Sequence, residues 1–248
     1  MDLEIKAREG DLLETHEGFI FDVKGLIHPS ERIIAYLRYY PDTNGDRVRK
    51  GIRYKKLYSL EDRYEFLETN YPQYLFNDKT SGEVLQGVRN ENIKQIYRPA
   101  EFLGELHGKF EDGRLEEVSP ILRKAFELVK LLHSSSGVKF EKLGITGSCL
   151  VNLETEQSDI DLIIYGSKNA FLVRKTLITL HDSHRDIIHP YSQEDIVTLY
   201  EFRGKQSDFN FQEFVKIEQR KKLQGLFRGT DYYIRCIKDW DEISNENV

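Results

Sequence analysis

The sequence predicts a protein of the α+β or α/β class with two domains: a β-rich N-terminal domain, then a domain in which helices flank a small mixed sheet. The chain of 248 residues can bury one large core or two modest ones. Its first half shows strand-like alternation between turn signals, whereas its second half alternates helical and strand-like patterns. The polar, glycine-punctuated segment HGKFEDGRLEE separates the halves, so we expect domains over residues 1–110 and 111–248.

The N-terminal half is predicted to be mostly strands between residues 12 and 58. The runs FIFDVKGLIH and RIIAYLRYY precede a dense turn signal, PDTNGD, and RVRKGIRYKKLY then has the alternation of a hairpin's return strand. Ser59 is expected to cap a helix that reaches Leu67, with Asp62 in its first turn. Residues 71–98 contain several turn dipeptides and are assigned to no element.

The second half begins with the pair Ser119-Pro120, which is typical of a helix start with serine as the cap. That helix has one apolar stripe and is expected to end at the SSSG run of residues 134–137. The elements predicted after it are a strand at 142–146, a short helical turn, a strand at 160–165, a helix at 168–180, helices near 193–202 and 210–225, and a last strand that begins at Asp231.

Bulk properties exclude several classes of protein. The formal charge of −6 argues against nucleic-acid binding over the whole protein surface. The longest apolar runs have the length of strands, so we expect no membrane span. The N-terminus carries acids and lacks an apolar core, so we expect no signal peptide. Cys149 and Cys236 are too few for a disulfide framework or a thiolate metal site, so we expect a cytoplasmic protein.

The segment LGITGSCLVNLETEQSDIDLIIYG, residues 143–166, contains the residues that indicate a binding site. Asp159 and Asp161 are two residues apart on a predicted strand, so both carboxylates would lie on one face. Carboxylate oxygens are the ligands that Mg²⁺ prefers. Gly147 would let the backbone approach a phosphate closely, and Ser148 adds a hydroxyl where a helical turn begins. Together these features indicate a magnesium-nucleotide site.

This combination resembles the nucleotidyltransferase superfamily whose best-known member is DNA polymerase beta. That family carries Gly-Ser at the end of one strand and Asp-x-Asp on the next, which Gly147-Ser148 and the run from Ser158 to Leu162 match. The resemblance covers about residues 117–240, with the motif spacing of the small minimal members. The first half resembles the leading domain of archaeal two-domain predicted nucleotidyltransferases. The resemblance therefore implies a minimal nucleotidyltransferase domain after the β-rich domain.

The family also uses a third carboxylate on a neighbouring strand. Asp231, which opens DYYIRCI, is our choice, Asp239 is its competitor, and Asp186 and Asp195 are weaker candidates. Two positions depart from the family pattern. Asn152 stands where members often have a glycine in a left-handed turn, a conformation that asparagine tolerates. Cys149 stands where many small members carry an arginine.

The resemblance implies transfer of a nucleotide from a nucleoside triphosphate, ATP included, to a hydroxyl acceptor, with release of pyrophosphate. Two sets of residues would carry it: Asp159, Asp161 and Asp231 hold Mg²⁺ or Mn²⁺ and act in catalysis, and Gly147, Ser148, Asn152 and Ser158 bind the nucleotide. The identity of the acceptor stays open. It could be an RNA end, a small molecule, or a protein side chain as in toxin–antitoxin pairs. The alternative is a degenerate fold that binds nucleotide or RNA without catalysis. The sequence leaves the oligomeric state undetermined.

Three polar clusters allow a functional and an ordinary interpretation. The basic hairpin of residues 47–58 could bind nucleic acid, but basic residues also protect an edge strand, which is the favoured interpretation. Residues 219–222 could face the triphosphate, although a solvated helix face is favoured. His181, Asp182 and His184 lie at a predicted helix end. Interaction of the histidines with the helix dipole is the preferred interpretation there, and metal binding is the alternative.

Overall fold

The computed structural model of the protein describes residues 5–203 and 210–243. The first four residues and the last five lie outside the described residues, as does the segment 204–209. The chain forms two compact units. The first contains the residues up to Glu105 together with Thr146–Thr155, and the second contains Leu106–Ile145 and Glu156–Ile243.

An antiparallel sheet of eight strands is the main element of the first unit. Its strands are β1 (Leu12–Thr15), β2 (Ile20–Val23), β3 (Arg32–Pro41), β4 (Arg47–Arg49), β5 (Ile52–Lys56), β6 (Leu75–Asn77), β7 (Val84–Arg89) and β8 (Ile93–Tyr97). Six of them follow the order β4-β5-β3-β2-β1-β8, and β7 pairs with both β3 and β6. β4 therefore lies at an edge of this path, as a hairpin partner of β5.

Helix α1 (Leu60–Asn70) belongs to the same unit, and helix α2 (Pro99–Glu111) follows β8. The predicted cap of α1 is confirmed: the Ser59 hydroxyl accepts a hydrogen bond from the Asp62 amide at 3.0 Å. The main core of the unit lies under β1, β2 and β3, where side chains such as Phe21, Leu37 and Tyr74 are fully buried. Burial of this aromatic and aliphatic area is the principal stabilising contribution to the unit.

A mixed sheet flanked by helices forms the second unit. Its strands are β9 (Leu143–Ile145), β10 (Ile160–Tyr165), β11 (Ile188–His189), β12 (Gln224–Phe227) and β13 (Thr230–Ile237), in the order β11-β12-β13-β10-β9. The remaining α-helices of the described residues are α3 (Pro120–Ser136), α4 (Gly147–Leu150), α5 (Ser167–Ser183), α6 (Gln193–Arg203) and α7 (Phe211–Arg220). β10 and β13 run parallel and the other pairs run antiparallel. Helices α3 and α5 pack against β10.

The predicted mixed α/β class is confirmed, and several elements were predicted at the right place. Ser119 caps α3 and Gly137 ends it with a left-handed conformation, as the sequence indicated. The strand at Ile160–Tyr165 has its predicted bounds. Within the part of the chain that the structure describes, no helix is long and apolar enough to cross a membrane.

The helix predicted over 210–225 is wrong at its C-terminal end. Helix α7 ends at Arg220, and residues from Gln224 onward form β12 between β11 and β13. Gly225 allows this close pairing, because a Cβ atom at that position would lie 2.3 Å from the carbonyl oxygen of His189. Helical periodicity misled the prediction, since the short run LQGLF fits a strand equally well. Helix α2 and the three strands within residues 71–98 were also missed.

Candidate functional site

Three carboxylates lie on one face of the sheet in the second unit. Asp159 directly precedes β10 and Asp161 is its second residue, so the two side chains share a face. The parallel register pairs Ile160 with Tyr232, which places Asp159 level with Asp231 on β13. Neighbouring strands are about 4.8 Å apart, and level residues on them point to the same face. Asp159 and Asp161 are half-buried, whereas Asp231 is exposed.

The other acids considered for the third position lie elsewhere. Asp239 follows the far end of β13, forms an ion pair with Lys142 and caps the turn at Trp240–Glu242. Asp186 is exposed in the turn after α5. Asp195 accepts a hydrogen bond from the Ser192 amide at 2.8 Å and so serves the start of α6. Among these four acids, Asp231 is the one that the register places beside Asp159.

Tyr191 contacts the carboxylate row and was not predicted. Its hydroxyl donates a hydrogen bond of 2.7 Å to Oδ1 of Asp231, and its ring is half-buried in the segment between β11 and α6. This bond fixes one carboxylate oxygen of Asp231. Sequence reasoning had no signal for it, because the two residues are 40 positions apart and Tyr191 lies outside any periodic element.

The opposite face of the same sheet is a helix-covered core. Nε2 of His181 on α5 lies 2.8 Å from the hydroxyl of Tyr232 on β13, and both side chains are buried. Burial, and then the positive charge of Lys222, lower the pKa of His181 to about 4. The imidazole is therefore neutral at pH 7. It stabilises the packing of α5 on the sheet through its hydrogen bond with Tyr232.

The predicted Gly-Ser turn has the expected backbone conformation. Gly147 has a φ of 67° and begins the short helix α4, in which Ser148 is buried. Asn152 has a φ of 53°, so the left-handed conformation predicted for it is confirmed. Gly147, Ser148 and Asn152 belong to the first unit, whereas the buried Ser158 belongs to the second unit with the three carboxylates.

Contacts within the first unit hold the turn segment, residues 146–155. Leu150, Val151 and Leu153 are buried in a cluster with four side chains of the sheet: Leu12, Ile20, Tyr39 and Tyr54. The Thr146 hydroxyl donates a hydrogen bond of 2.6 Å to the carbonyl oxygen of Gly10. Arg47 of β4 is buried and donates from Nη1 to the carbonyl oxygen of Leu153. The N-terminal sheet thus supplies the packing surface of this segment.

Three arginines of the basic hairpin have structural partners. Arg47 bonds to Leu153, and Arg49 is buried in an ion pair of 2.8 Å with Glu14. Arg53 donates to the carbonyl oxygen of Gly45 at 2.8 Å. Lys50 and Lys55 remain exposed on this edge hairpin. Much of the basic signal in the sequence therefore reflects internal contacts of the unit. Nucleic-acid binding stays the less favoured interpretation of the rest of the hairpin.

Replacing Arg47 by methionine is expected to loosen residues 146–155 while the sheet stays folded. The variant removes a charge-assisted hydrogen bond, which contributes about 2 kcal/mol. Faster amide hydrogen exchange, measured by mass spectrometry on peptides from this segment, is the expected result. Arg53→Met is the matched control, because Arg53 lies on the adjacent strand and bonds to the turn at Gly45 instead. Equal exchange of the segment in both variants would contradict an anchoring role for Arg47.

The donor chemistry of the carboxylate row fits a hard divalent cation such as Mg²⁺ or Mn²⁺, which prefers oxygen ligands. Asp159, Asp161 and Asp231 would supply those oxygens from one face of the sheet. Within the described residues, however, no three His, Cys, Asp or Glu side chains are close enough together to hold a metal ion as they stand. The backbone places the three carboxylates on one face of the sheet, and metal binding would require their side chains to change rotamer.

Comparison with known proteins gives one informative relationship. No family model and no solved structure matches the chain significantly. The chain is 30% identical over 250 residues to "Uncharacterized protein MJ1086" of Methanocaldococcus jannaschii. The alignment covers 98% of this chain and 71% of that protein. Because the identity extends over nearly the entire chain, the protein belongs to the family of MJ1086.

Proposed function

We propose that the protein is a metal-dependent nucleotidyltransferase, which transfers a nucleoside monophosphate from a nucleoside triphosphate to a hydroxyl acceptor. The observation that carries this proposal is the parallel register of β10 and β13, which sets Asp159, Asp161 and Asp231 on one face of the sheet. Carboxylate oxygens at the start of two adjacent strands are the ligands that Mg²⁺ prefers. The resemblance of the Gly147-Ser148 and Asp159-x-Asp161 motifs to that superfamily supports the same function.

The reaction is an in-line displacement at the α-phosphorus. The acceptor oxygen forms a bond to that phosphorus while its bond to the oxygen that bridges to the β-phosphate breaks, and pyrophosphate leaves with the electron pair. The hydroxyl proton passes to the carboxylate of Asp231. Positioning and charge neutralisation account for most of the rate enhancement in such transfers.

Each residue has a distinct part in this proposal. Asp159, Asp161 and Asp231 would hold Mg²⁺ or Mn²⁺, which when bound neutralises phosphate charge. The resemblance assigns the nucleotide to Gly147, Ser148, Asn152 and Ser158. Tyr191 keeps one oxygen of Asp231 oriented through its 2.7 Å hydrogen bond.

A second candidate function is a nucleotide- or RNA-binding module without catalysis. Two observations favour it: Cys149 stands in the position of the family's arginine, and the described acids form no ready three-ligand cluster. This candidate predicts binding of nucleotide without covalent transfer, so one experiment separates the two functions.

The test is a transfer screen with each α-³²P-labelled nucleoside triphosphate, in Mg²⁺ and in Mn²⁺. The acceptors are tRNA, total RNA and total protein from the source cell, and the purified chain itself. Label in a covalent product together with released pyrophosphate supports the enzyme. Nucleotide binding by calorimetry without any labelled product supports the binding module. If no combination of nucleotide, metal and acceptor gives either binding or transfer, both proposed functions are contradicted.

A further inference from the structure

A half-open cavity of about 550 Å³ lies in the second unit. It is bordered by the end of α5, by β11 and by the segment that leads into α6. We call it the His181 cavity, after the first of its seven polar lining residues: His181, Asp182, Arg185, His189, Tyr191, Ser192 and Lys222. Its volume lies in the range of about 300–1,000 Å³ that suits a small ligand or one nucleotide of a larger one.

Positive charge dominates the lining of this cavity. Arg185 and Lys222 are cations and Asp182 is the one acid among the lining residues. Nη2 of Arg185 is 3.8 Å from Oδ1 of Asp182, and both side chains are about three-quarters exposed, at 77% and 76%. Such a pair is weak and leaves the guanidinium able to turn toward a ligand. The sequence favoured a solvated helix face for residues 219–222, but α7 ends before Lys222, which is half-buried in the cavity wall.

The charge of Lys222 acts on the cavity interior. It is the second cause, after burial, of the lowered pKa of His181, so its ammonium group acts on the imidazole side of the cavity. Nζ of Lys222 donates to the carbonyl oxygen of Gln219 at 3.3 Å, a long bond that a charged ligand can replace. The cavity therefore presents an ammonium, a guanidinium and two imidazoles to its contents.

The cavity is linked to the carboxylate row by one residue. Tyr191 lines the cavity, and its hydroxyl donates to Oδ1 of Asp231. A ligand in the cavity would consequently contact the residue that orients Asp231. Pro190 and Ser192 also line the cavity and are exposed, so a longer chain has a path out of it.

We propose that the His181 cavity binds a phosphate ester of the acceptor, with Tyr191 as its link to Asp231. The proposal rests on the proposed nucleotidyl transfer and adds the acceptor class to it. Arg185 would bind the phosphate with its two-pronged guanidinium and Lys222 with its point charge. The ring of Tyr191 would line the adjoining sugar or base. The end of a nucleic-acid strand and a free nucleotide share this chemistry.

The test measures binding of a fluorescein-labelled 12-nucleotide RNA, and of the DNA of the same sequence, by fluorescence anisotropy at several salt concentrations. The cavity variant is Arg185→Gln with Lys222→Gln. The control variant is Arg174→Gln with Lys216→Gln, which removes two exposed cations of α5 and α7 outside the cavity. We expect the cavity variant to bind the labelled strand about tenfold more weakly or worse, with a salt dependence reduced by about two phosphate contacts.

Competition with unlabelled AMP identifies the source of the phosphate ester. Displacement of the strand by AMP at concentrations similar to those of unlabelled RNA supports a free nucleotide as acceptor, and displacement by RNA or DNA alone supports a strand end. Equal weakening by the cavity and control variants overturns the proposal, because binding would then be diffuse charge attraction. The proposal is also overturned if the wild-type chain binds none of the three probes, namely the RNA, the DNA and AMP. These measurements do not depend on catalytic activity, so the binding proposal and the proposed function can fail separately. If the cavity does not bind a phosphate ester but the chain still transfers nucleotide to another acceptor, the proposed function stands.

Discussion

Replacing Asp159 and Asp161 together by asparagine is expected to reduce nucleotide transfer by a factor of about 10³ or more. Each substitution removes a carboxylate charge that neutralises the metal–triphosphate complex, and single electrostatic contributors of this kind account for about 10²–10³ in rate. The measurement is formation of labelled product per unit time at saturating Mg²⁺ and nucleotide. Thermal unfolding of the variant checks that its fold is retained.

The matched control for this experiment is Asp186→Asn with Asp241→Asn, which removes two exposed carboxylates of the same unit. A further pair of single variants tests the third position. Asp231→Asn should impair transfer, whereas Asp239→Asn should leave transfer intact, because the parallel register places only the former level with Asp159 among these two acids. Full activity of the Asp159, Asp161 double variant would rule out the proposed chemistry.

Replacing Arg49 by methionine is expected to destabilise the first unit by about 3–5 kcal/mol. The Glu14 carboxylate is buried and accepts hydrogen bonds from Arg49 and Lys94, each at 2.8 Å, and from the hydroxyl of Tyr97. Removing the arginine leaves a buried charge with incomplete compensation. Urea denaturation followed by circular dichroism measures the loss of unfolding free energy.

An exposed ion pair and a double variant serve as controls. Arg89→Met breaks a pair with Glu91 in which both side chains are more than half exposed, so it should cost less than about 1 kcal/mol. Arg49→Met combined with Glu14→Gln should recover part of the loss, because the uncompensated charge is gone. A loss in Arg49→Met no larger than in Arg89→Met would contradict the stabilising role of the buried pair.

The same carboxylate makes stability depend on pH. Burial alone would raise the pKa of Glu14, but hydrogen bonds from Lys94, Tyr97 and Arg49 outweigh it and lower the pKa from 4.5 to about 2. A carboxyl with a depressed pKa contributes stability above its unfolded pKa, and that contribution is lost as the pH falls toward its folded pKa. The wild-type chain should therefore lose this contribution between about pH 4.5 and pH 2, and Glu14→Gln should lack this part of the acid transition.

Local chemistry made parts of the fold predictable. The hydroxyls of Ser59 and Ser119 cap helices in both units because serine offers an acceptor to unpaired amides at a helix start. Asn152 adopts the left-handed conformation because few residues other than glycine tolerate it. These features depend on neighbours within a few positions along the chain, so the sequence around them was sufficient.

Long-range contacts were not predictable in the same way. The start of β12 was assigned to a helix because its partner β11 lies far before it in sequence, and pairing overrides local periodicity. Its other partner, β13, follows at once across the Arg228-Gly229 turn, a local signal that the prediction missed. The burial of Leu150, Val151 and Leu153 against the first unit's sheet was not predictable either, since an apolar pattern indicates that a residue is buried but does not identify the surface that covers it. Arg47 was interpreted as a surface charge because its acceptor, the Leu153 carbonyl, is 106 residues away.

The sequence by itself determined the helix caps, the Gly147-Ser148 turn and the two carboxylates at the start of β10, all of which depend on spacing along a few residues. It favoured Asp231 over Asp239 without showing which of the two lies beside Asp159. Tertiary structure decided this arrangement, because the parallel register of β10 and β13 brings residues 159 and 231 level and sends residue 239 beyond the far end of the strand. It also supplied Tyr191 and the His181 cavity, which exist only where separate segments meet in three dimensions.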